Sequence, residues 1–204
     1  MQSKSIAIIE VTKGFFSCKA VEDIPSGSFL TDLWGAVLDS PHSHTVQVDK
    51  NKHVVPEGPM NVFNHSCQPN AKWVYERHKA AYPGLDASHD VFWYMVAVRD
   101  IEKGEDVTFD YTTSEYDMAQ SFQCKCGTEM CLGEIKGFKY LSPQQQRERR
   151  NDLSPVIIEI WDKNLWGKVP QAEELCRMKQ KFFFLIISDL SHTKVKFQVS
   201  CQLQ

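Results

Sequence analysis

The sequence predicts a mainly β fold followed by a mostly helical C-terminal extension. Over the first 112 residues, short runs of β-branched and aromatic residues alternate with glycine- and proline-containing turns. After residue 140, two Ser-Pro pairs each precede a stretch suited to a helix, because proline is favoured at the first helical position. The chain has 204 residues, of which 42% are hydrophobic and 24% charged, as is typical of a globular protein.

The first predicted strands lie before residue 50 and are separated by turn residues. The turn signals are Lys13-Gly14 and Pro25-Ser26-Gly27. The runs between them are apolar and β-branched, or alternate between apolar and polar residues. We predict strands at Ser5–Val11, Lys19–Ile24, Ser28–Leu33 and Thr45–Val48.

Two further strands are predicted in the second half of this region. Val91–Val98 is rich in aromatic and aliphatic residues, and Val107–Tyr111 follows the Lys103-Gly104 turn. Neither run alternates cleanly, so we expect both to be buried on two faces. Ala80–Asp90 contains proline, glycine and polar residues and is predicted to be an exposed loop.

The C-terminal region is predicted to contain up to three helices. Ser142-Pro143 and Ser154-Pro155 mark two helix starts, and Gly167 is suited to end the second helix. Pro170–Lys181 is a third candidate. Residues 182–204 follow no pattern, and disorder of this end remains open.

Charge and hydropathy indicate an intracellular protein with a basic partner. The N-terminus lacks a signal-peptide pattern, and the most apolar stretch, Phe182–Ile187, is far shorter than the roughly 20 residues of a membrane helix. We therefore expect a nuclear or cytoplasmic protein without a membrane partner. Residues 1–133 carry a net charge of −7, which favours a lysine-rich peptide over nucleic acid. Charge that serves only solubility is an equal alternative.

The seven cysteines include a cluster with metal-ligand spacing. Disulfides are rare inside cells, and the cluster at residues 124–131 reads C-x-C-x4-C. A tetrahedral zinc ion takes four soft ligands, of which this turn supplies three. Cys18, Cys67, Cys176 and Cys201 are the other cysteines. Burial of these thiols without a metal remains an alternative, because free cysteine is often buried.

Three motifs in order resemble one protein family. Asn64–Asn70 reads N-H-S-C-x-P-N, Arg99–Tyr111 reads R-D-I-x-K-G-E-x-V-T-F-D-Y, and the cysteine cluster continues as C-x-C-x4-C-x-G. Together they resemble the SET-domain protein lysine methyltransferases with a post-SET zinc loop, over roughly residues 5–135. The resemblance implies a SET fold: several small twisted sheets around a knot-like, threaded active site. It implies a SET domain at 1–115, a post-SET loop at 116–135 and an extension at 136–204.

The same resemblance implies roles for particular residues. S-adenosyl-L-methionine and Zn²⁺ are the implied cofactors, and Tyr111 is the implied catalytic residue. The implied zinc ligands are Cys67, Cys124, Cys126 and Cys131. The implied cofactor contacts are Lys13, Gly14, Phe15, Asn64, His65 and Tyr111. Phe109 and Trp73 are the candidates for walls of the substrate channel.

Two departures from the family pattern keep alternatives open. Phe16 replaces the second glycine of a G-x-G turn, and Leu33 occupies the tyrosine position of an E-Y-x-G motif. We expect methyl transfer to a protein lysine, with a histone tail as the default substrate and non-histone proteins left open. The alternatives are a catalytically weak SET-like binding module and a structural zinc protein that binds nucleic acid. The acidic body argues against nucleic-acid binding.

Overall fold

The computed structural model describes residues 1–77 and 91–166, which form twelve short strands and two α-helices. The strands are β1 Ile6–Thr12, β2 Phe15–Ala20, β3 Phe29–Asp32, β4 Gly35–Leu38, β5 Val46–Asp49, β6 Lys52–Pro56, β7 Asn64–His65, β8 Ala71–Arg77, β9 Val91–Ala97, β10 Thr108–Phe109, β11 Phe122–Gln123 and β12 Glu134–Ile135. The helices are α1 Pro143–Glu148 and α2 Pro155–Trp166. Among these residues, neither helix is long and apolar enough to cross a membrane.

The strands form five small sheets. Two sheets have three antiparallel strands, in the orders β3-β9-β8 and β4-β6-β5. The β1–β2 hairpin and the β11–β12 pair are also antiparallel, whereas β7 and β10 pair in parallel. This mainly β architecture confirms the predicted fold class, and it places short segments that are distant in sequence beside one another.

The core forms where the three-stranded sheet around β9 meets the surrounding strands. In β9, Trp93, Met95 and Ala97 are buried, whereas Tyr94 and Val96 are only partly buried. This strand therefore alternates, and the expectation that it is buried on two faces was wrong. One face packs into the hydrophobic core and the other remains accessible.

Gly35 is required where β4 begins. Its φ is +146°, and a Cβ there would lie 1.9 Å from the carbonyl oxygen of Val55 on β6. Only glycine allows the two backbones to approach this closely. The close contact between β4 and β6 therefore explains why the Asp32–Gly35 segment ends in glycine. Leu33 in the same segment is fully buried, as is common for an apolar side chain.

The described helices begin where the Ser-Pro pairs predicted. Ser142 accepts a hydrogen bond from the Gln145 N–H, and the Gln145 side chain accepts one from the Ser142 N–H, which completes a capping box. At the start of α2, the Ser154 hydroxyl accepts from the Ile157 N–H at 3.2 Å. The Ser154 N–H donates to the carbonyl of Thr113 at 2.8 Å, which ties this helix start to the segment after Tyr111.

Several sequence predictions were shifted or missed. The strand predicted at Lys19–Ile24 lies earlier, at Phe15–Ala20, because the chain turns after Ala20 and Ile24 makes only an isolated bridge to Ile101. Strands β4, β6, β7, β8, β11 and β12 were not predicted. The predictions for Ala80–Asp90, for Gly167, for a helix at Pro170–Lys181 and for residues 182–204 lie outside the described residues.

Candidate active site and metal centre

The parallel pair of β7 and β10 brings the two halves of the site together. Asn64 lies opposite Thr108, and His65 lies opposite Phe109. The side chain of Asn70 fixes this arrangement, since its amide donates to the Asp106 carbonyl at 2.8 Å and its oxygen accepts from the Thr108 N–H at 2.9 Å. The polar residues of the N-H-S-C-x-P-N segment therefore satisfy backbone groups that a two-residue strand would leave unpaired.

Tyr111 lies two residues after β10, and hydrogen bonds hold both its backbone and its hydroxyl. It opens the 3-10 turn Tyr111–Thr113, in which the Asp110 carboxylate accepts from the Thr112 N–H at 3.0 Å. Its hydroxyl donates to the carbonyl oxygen of Phe63 at 2.5 Å. Desolvation raises the pKa of the Tyr111 hydroxyl, and the nearby Glu115 carboxyl adds to this effect. Tyr111 is therefore a neutral phenol with a fixed orientation.

His65 links Tyr111 to the cysteine cluster. Its Nδ1 accepts a hydrogen bond from the Tyr111 N–H at 3.1 Å, so in the neutral ring Nε2 carries the proton. That Nε2 lies 3.2 Å from the Cys67 Sγ. Burial lowers the pKa of His65 to about 4, which keeps the imidazole neutral near pH 7.

A cleft of about 720 Å³ lies between the β7–β10 pair and the cysteine-rich loop. Its walls include Asn64, His65, Tyr111 and Phe15 among the predicted cofactor contacts. Lys13 and Gly14 lie outside this lining, in the adjoining turn, where Gly14 has a φ of +80° and its N–H donates to the Glu10 carboxylate at 2.8 Å. A cleft of this size accommodates a nucleoside-sized ligand.

A second, narrow pocket of about 70 Å³ also reaches Tyr111. Met60, Phe63 and Phe109 are apolar residues of its lining, and Glu115 is an acidic residue of it. Among the residues that line the two pockets, Tyr111 is the one they share. Its volume is about a tenth of that of the cleft, which suits a slender aliphatic chain better than a large ligand.

Trp73 lies behind Phe109 and does not line this pocket. The two rings contact edge to face, with centroids 5.7 Å apart and planes at 77°. Trp73 also packs against Trp93 at a centroid distance of 5.8 Å. The indole of Trp73 therefore packs against the Phe109 ring, and its place in a substrate channel stays a prediction.

The four predicted metal ligands converge. The Sγ atoms of Cys67, Cys124, Cys126 and Cys131 all lie within 4.8 Å of one another. Four thiolates about 2.3 Å from a tetrahedral zinc ion have sulfur atoms about 3.8 Å apart. The Cys67 and Cys124 sulfurs are separated by 3.8 Å. The donor set and its spacing therefore fit one zinc ion.

Backbone amides support this cluster. The Leu132 N–H points to the Cys67 sulfur at 3.3 Å, and the Cys126 N–H points to the Cys124 sulfur at 3.4 Å. Such amides stabilise thiolates and orient them as ligands. Cys124 and Cys126 also line the 720 Å³ cleft, so the metal centre and the cleft share a wall.

Two residues of the site were missed by sequence reasoning. Glu115 lies four residues after Tyr111, outside the quoted motifs, and only the fold brings this residue to the narrow pocket. Arg149, at the end of α1, donates from Nε to the Asp110 carboxylate at 2.7 Å. In the sequence, Arg149 is one of several arginines near a predicted helix end, and nothing distinguishes it from its neighbours.

Small antiparallel sheets, a parallel crossing of two short strands and an adjacent four-cysteine loop define a SET-type fold with a post-SET-like metal centre. Comparison with known families agrees with this class. Residues 19–112 match the family model described as SET domain.

Curated relatives and a solved structure are similar to this chain. A histone-lysine N-methyltransferase, H3 lysine-36 specific, of Yarrowia lipolytica is 30% identical over 65% of this chain and 18% of its own length. The histone-lysine N-methyltransferase ash1 of Drosophila melanogaster is 36% identical over 63% of this chain and 6% of its own length. The chain thus spans less than a fifth of these relatives. The structure of KRYPTONITE in complex with mCHG DNA and SAH has a TM-score of 0.49 and 19% identity, covering 63% of this chain and 28% of that chain.

Proposed function

We propose that this protein transfers methyl groups from S-adenosyl-L-methionine to lysine side chains of another protein. The proposal rests chiefly on Tyr111, which lines both the large cleft and the narrow aromatic pocket. A methyl donor in the cleft and a lysine side chain in the pocket would meet at this residue. The names of the curated relatives support a histone tail as substrate, with H3 lysine 36 as the first lysine to test.

The chemistry asks the chain mainly to orient two reactants and to accommodate a neutral amine. The methyl group of a sulfonium is already activated, so in-line positioning provides much of the rate. A free lysine has a pKa near 10.4, and removing its proton at pH 7 costs roughly 4.6 kcal/mol. The apolar walls of the narrow pocket disfavour the ammonium form and reduce that cost. The Tyr111 hydroxyl and the Phe63 carbonyl would orient the amine.

The residues proposed to hold the cofactor lie on the cleft and the adjoining turn. Asn64, His65 and Tyr111 would contact it from the β7–β10 side, and the Lys13–Phe15 turn from the other side. Cys67 and the three cysteines of the loop would hold Zn²⁺, which keeps the loop against the cleft. We also propose the division into a SET domain at 1–115, a post-SET loop at 116–135 and an extension at 136–204.

The proposed partner is a lysine-containing protein, and the proposed location is the nucleus if that protein is a histone. The acidic charge of residues 1–133 supports a basic peptide as partner. We propose no direct contact with nucleic acid or membrane.

Labelled methyl transfer tests this function. The full chain is incubated with isotope-labelled S-adenosylmethionine and recombinant histone H3, and with H3 in which every tail lysine is arginine. Label should enter lysine of the first substrate, as mass spectrometry can establish. Tyr111→Phe should slow every transfer at least tenfold, because it removes the hydroxyl that orients the amine, while binding of S-adenosylhomocysteine remains.

The alternative is a binding module that no longer turns over. Phe16 and Leu33 motivate it, because they occupy positions where the family pattern has a glycine and a tyrosine. Cofactor binding by calorimetry, together with no label in H3 or in a whole-cell extract, would favour that alternative. Absence of cofactor binding would reject both functions.

A further inference from the structure

Glu115 is a buried acidic residue that lines the narrow pocket. Only 8% of the residue is accessible, and its backbone N–H donates to the Tyr111 carbonyl at 2.9 Å. Phe63, Phe109 and Tyr111 line the same pocket. Glu115 therefore lines the space that we assign to the substrate lysine, and its carboxyl is close enough to Tyr111 to contribute to the raised pKa of the hydroxyl.

The Glu115 carboxyl has one hydrogen bond and no cation within the described part of the chain. Its Oε1 accepts from the Gln47 N–H on β5 at 2.8 Å, and none of the ion pairs among described residues involves it. A buried carboxylate without a cation is costly, and this cost falls when a cation enters or when the group is protonated. Binding of a cation beside Glu115 would therefore be favourable.

Several titratable groups lie around Glu115. Desolvation raises the pKa of Tyr111, and the Glu115 carboxyl adds to this effect. Desolvation also raises the pKa of Tyr75, to which Asp152 and then Glu115 contribute. His53, which pairs with Gln47 across β5 and β6, has a pKa lowered by burial. His42 and His44 lie in the pocket wall ahead of β5. Burial raises the pKa of Glu115 to about 8, so its proton can exchange near physiological pH.

We propose that the Glu115 carboxylate receives the ammonium group of the substrate lysine and accepts a proton from it. This inference rests on the proposed methyl transfer. One N–H bond of the ammonium breaks and one O–H bond forms on Glu115, which leaves a neutral amine beside a neutral acid. The apolar walls favour this neutral pair over the ion pair. After methyl transfer, the Glu115 proton passes to water at the mouth of the pocket, where His42 and His44 lie.

Glu115→Gln removes the charge and keeps the size of the side chain. A glutamine oxygen can still accept from the Gln47 N–H. Single-turnover methylation of histone H3 is measured from pH 6.5 to 10 for both proteins. The wild-type rate should rise until Glu115 is ionised, near pH 8, and then level off. The variant should be slower by about 10- to 100-fold near pH 8, a range at the lower end of general base catalysis. Its rate should keep rising about tenfold per pH unit, because only solvent removes the lysine proton.

Matched variants separate this role from a structural one. Glu57→Gln, at an exposed glutamate, should leave the pH profile unchanged. Glu115→Asp keeps a carboxylate and should retain the wild-type shape at a lower rate. Thermal melting and S-adenosylhomocysteine affinity should match wild type for Glu115→Gln. A profile parallel to wild type at every pH would overturn the role of Glu115 alone. A wild-type protein that is inactive at every pH would instead overturn the proposed function, and this inference with it.

Discussion

At the scale of single residues, the wall of the narrow pocket determines how much space the proposed substrate amine would have. Phe109 is buried, and its ring centroid lies 4.8 Å from that of Tyr111. A phenylalanine has no hydroxyl with which to hold a water molecule in this space. The amine is then free to rotate and to accept a further methyl group. We therefore expect di- or trimethyl-lysine as the product.

Phe109→Tyr should shift the product towards monomethyl-lysine and leave the first transfer mostly intact. The added hydroxyl can hold a water molecule where a second methyl group would lie. One hydrogen bond contributes about 0.5–1.5 kcal/mol net, enough for up to roughly a tenfold change in product ratio. Mass spectrometry of histone H3 at long times and excess cofactor measures the ratio. If wild type stops at monomethyl-lysine under these conditions, this interpretation of Phe109 is wrong.

At the scale of secondary structure elements, α1 contributes to the site although it lies outside the matched SET domain. Arg149 ends this helix and contacts the Asp110 carboxylate at 2.7 Å and the Thr112 hydroxyl at 3.1 Å. Both side chains of the ion pair are mostly buried, with 13% and 7% accessible for Arg149 and Asp110. Asp110 immediately precedes Tyr111. The helix therefore helps to fix the turn that presents the tyrosine.

Arg149→Ala should destabilise the protein and lower the rate of transfer. Removal of one partner leaves a buried carboxylate without its cation, which costs about 3 kcal/mol. For a chain of this length, the melting temperature should fall by roughly 6–12 °C. Calorimetry and single-turnover rates below the transition measure the two effects. Arg147→Ala, at an exposed position of the same helix, is the control and should change neither. An Arg149→Ala protein that melts like wild type would show that the ion pair contributes little.

The same elements indicate how far sequence reasoning reaches. Helix starts were predicted correctly because Ser142 and Ser154 cap through local hydrogen bonds, which the sequence encodes within a few residues. Strands β4, β6 and β8 were missed because their stability comes from partners distant in sequence. The four cysteines were predicted by motif and do converge. Glu115 and Arg149 were missed because their roles follow from tertiary contacts alone.

At the scale of the whole molecule, the metal centre joins segments that are far apart in the chain. Cys67 directly follows the segment that contains Asn64 and His65, whereas the other three cysteines belong to residues 124–131. A metal that binds all four closes a long loop and favours the folded state, since the unfolded chain offers no preformed site. The cleft has walls on both segments. Metal binding and cofactor binding should therefore be coupled.

Cys126→Ser should lower zinc content and cofactor affinity together. Purified wild-type protein should contain about one zinc per chain by elemental analysis. The variant has only three thiolates for a four-coordinate ion, and the loop that lines the cleft loses its anchor. We expect S-adenosylhomocysteine affinity to fall more than tenfold and the melting temperature to fall by about 10 °C or more. Cys18→Ala removes a buried thiol outside the cluster, so its zinc content should equal that of wild type. Full methylation activity in wild-type protein whose zinc has been removed by exhaustive chelation would contradict this coupling.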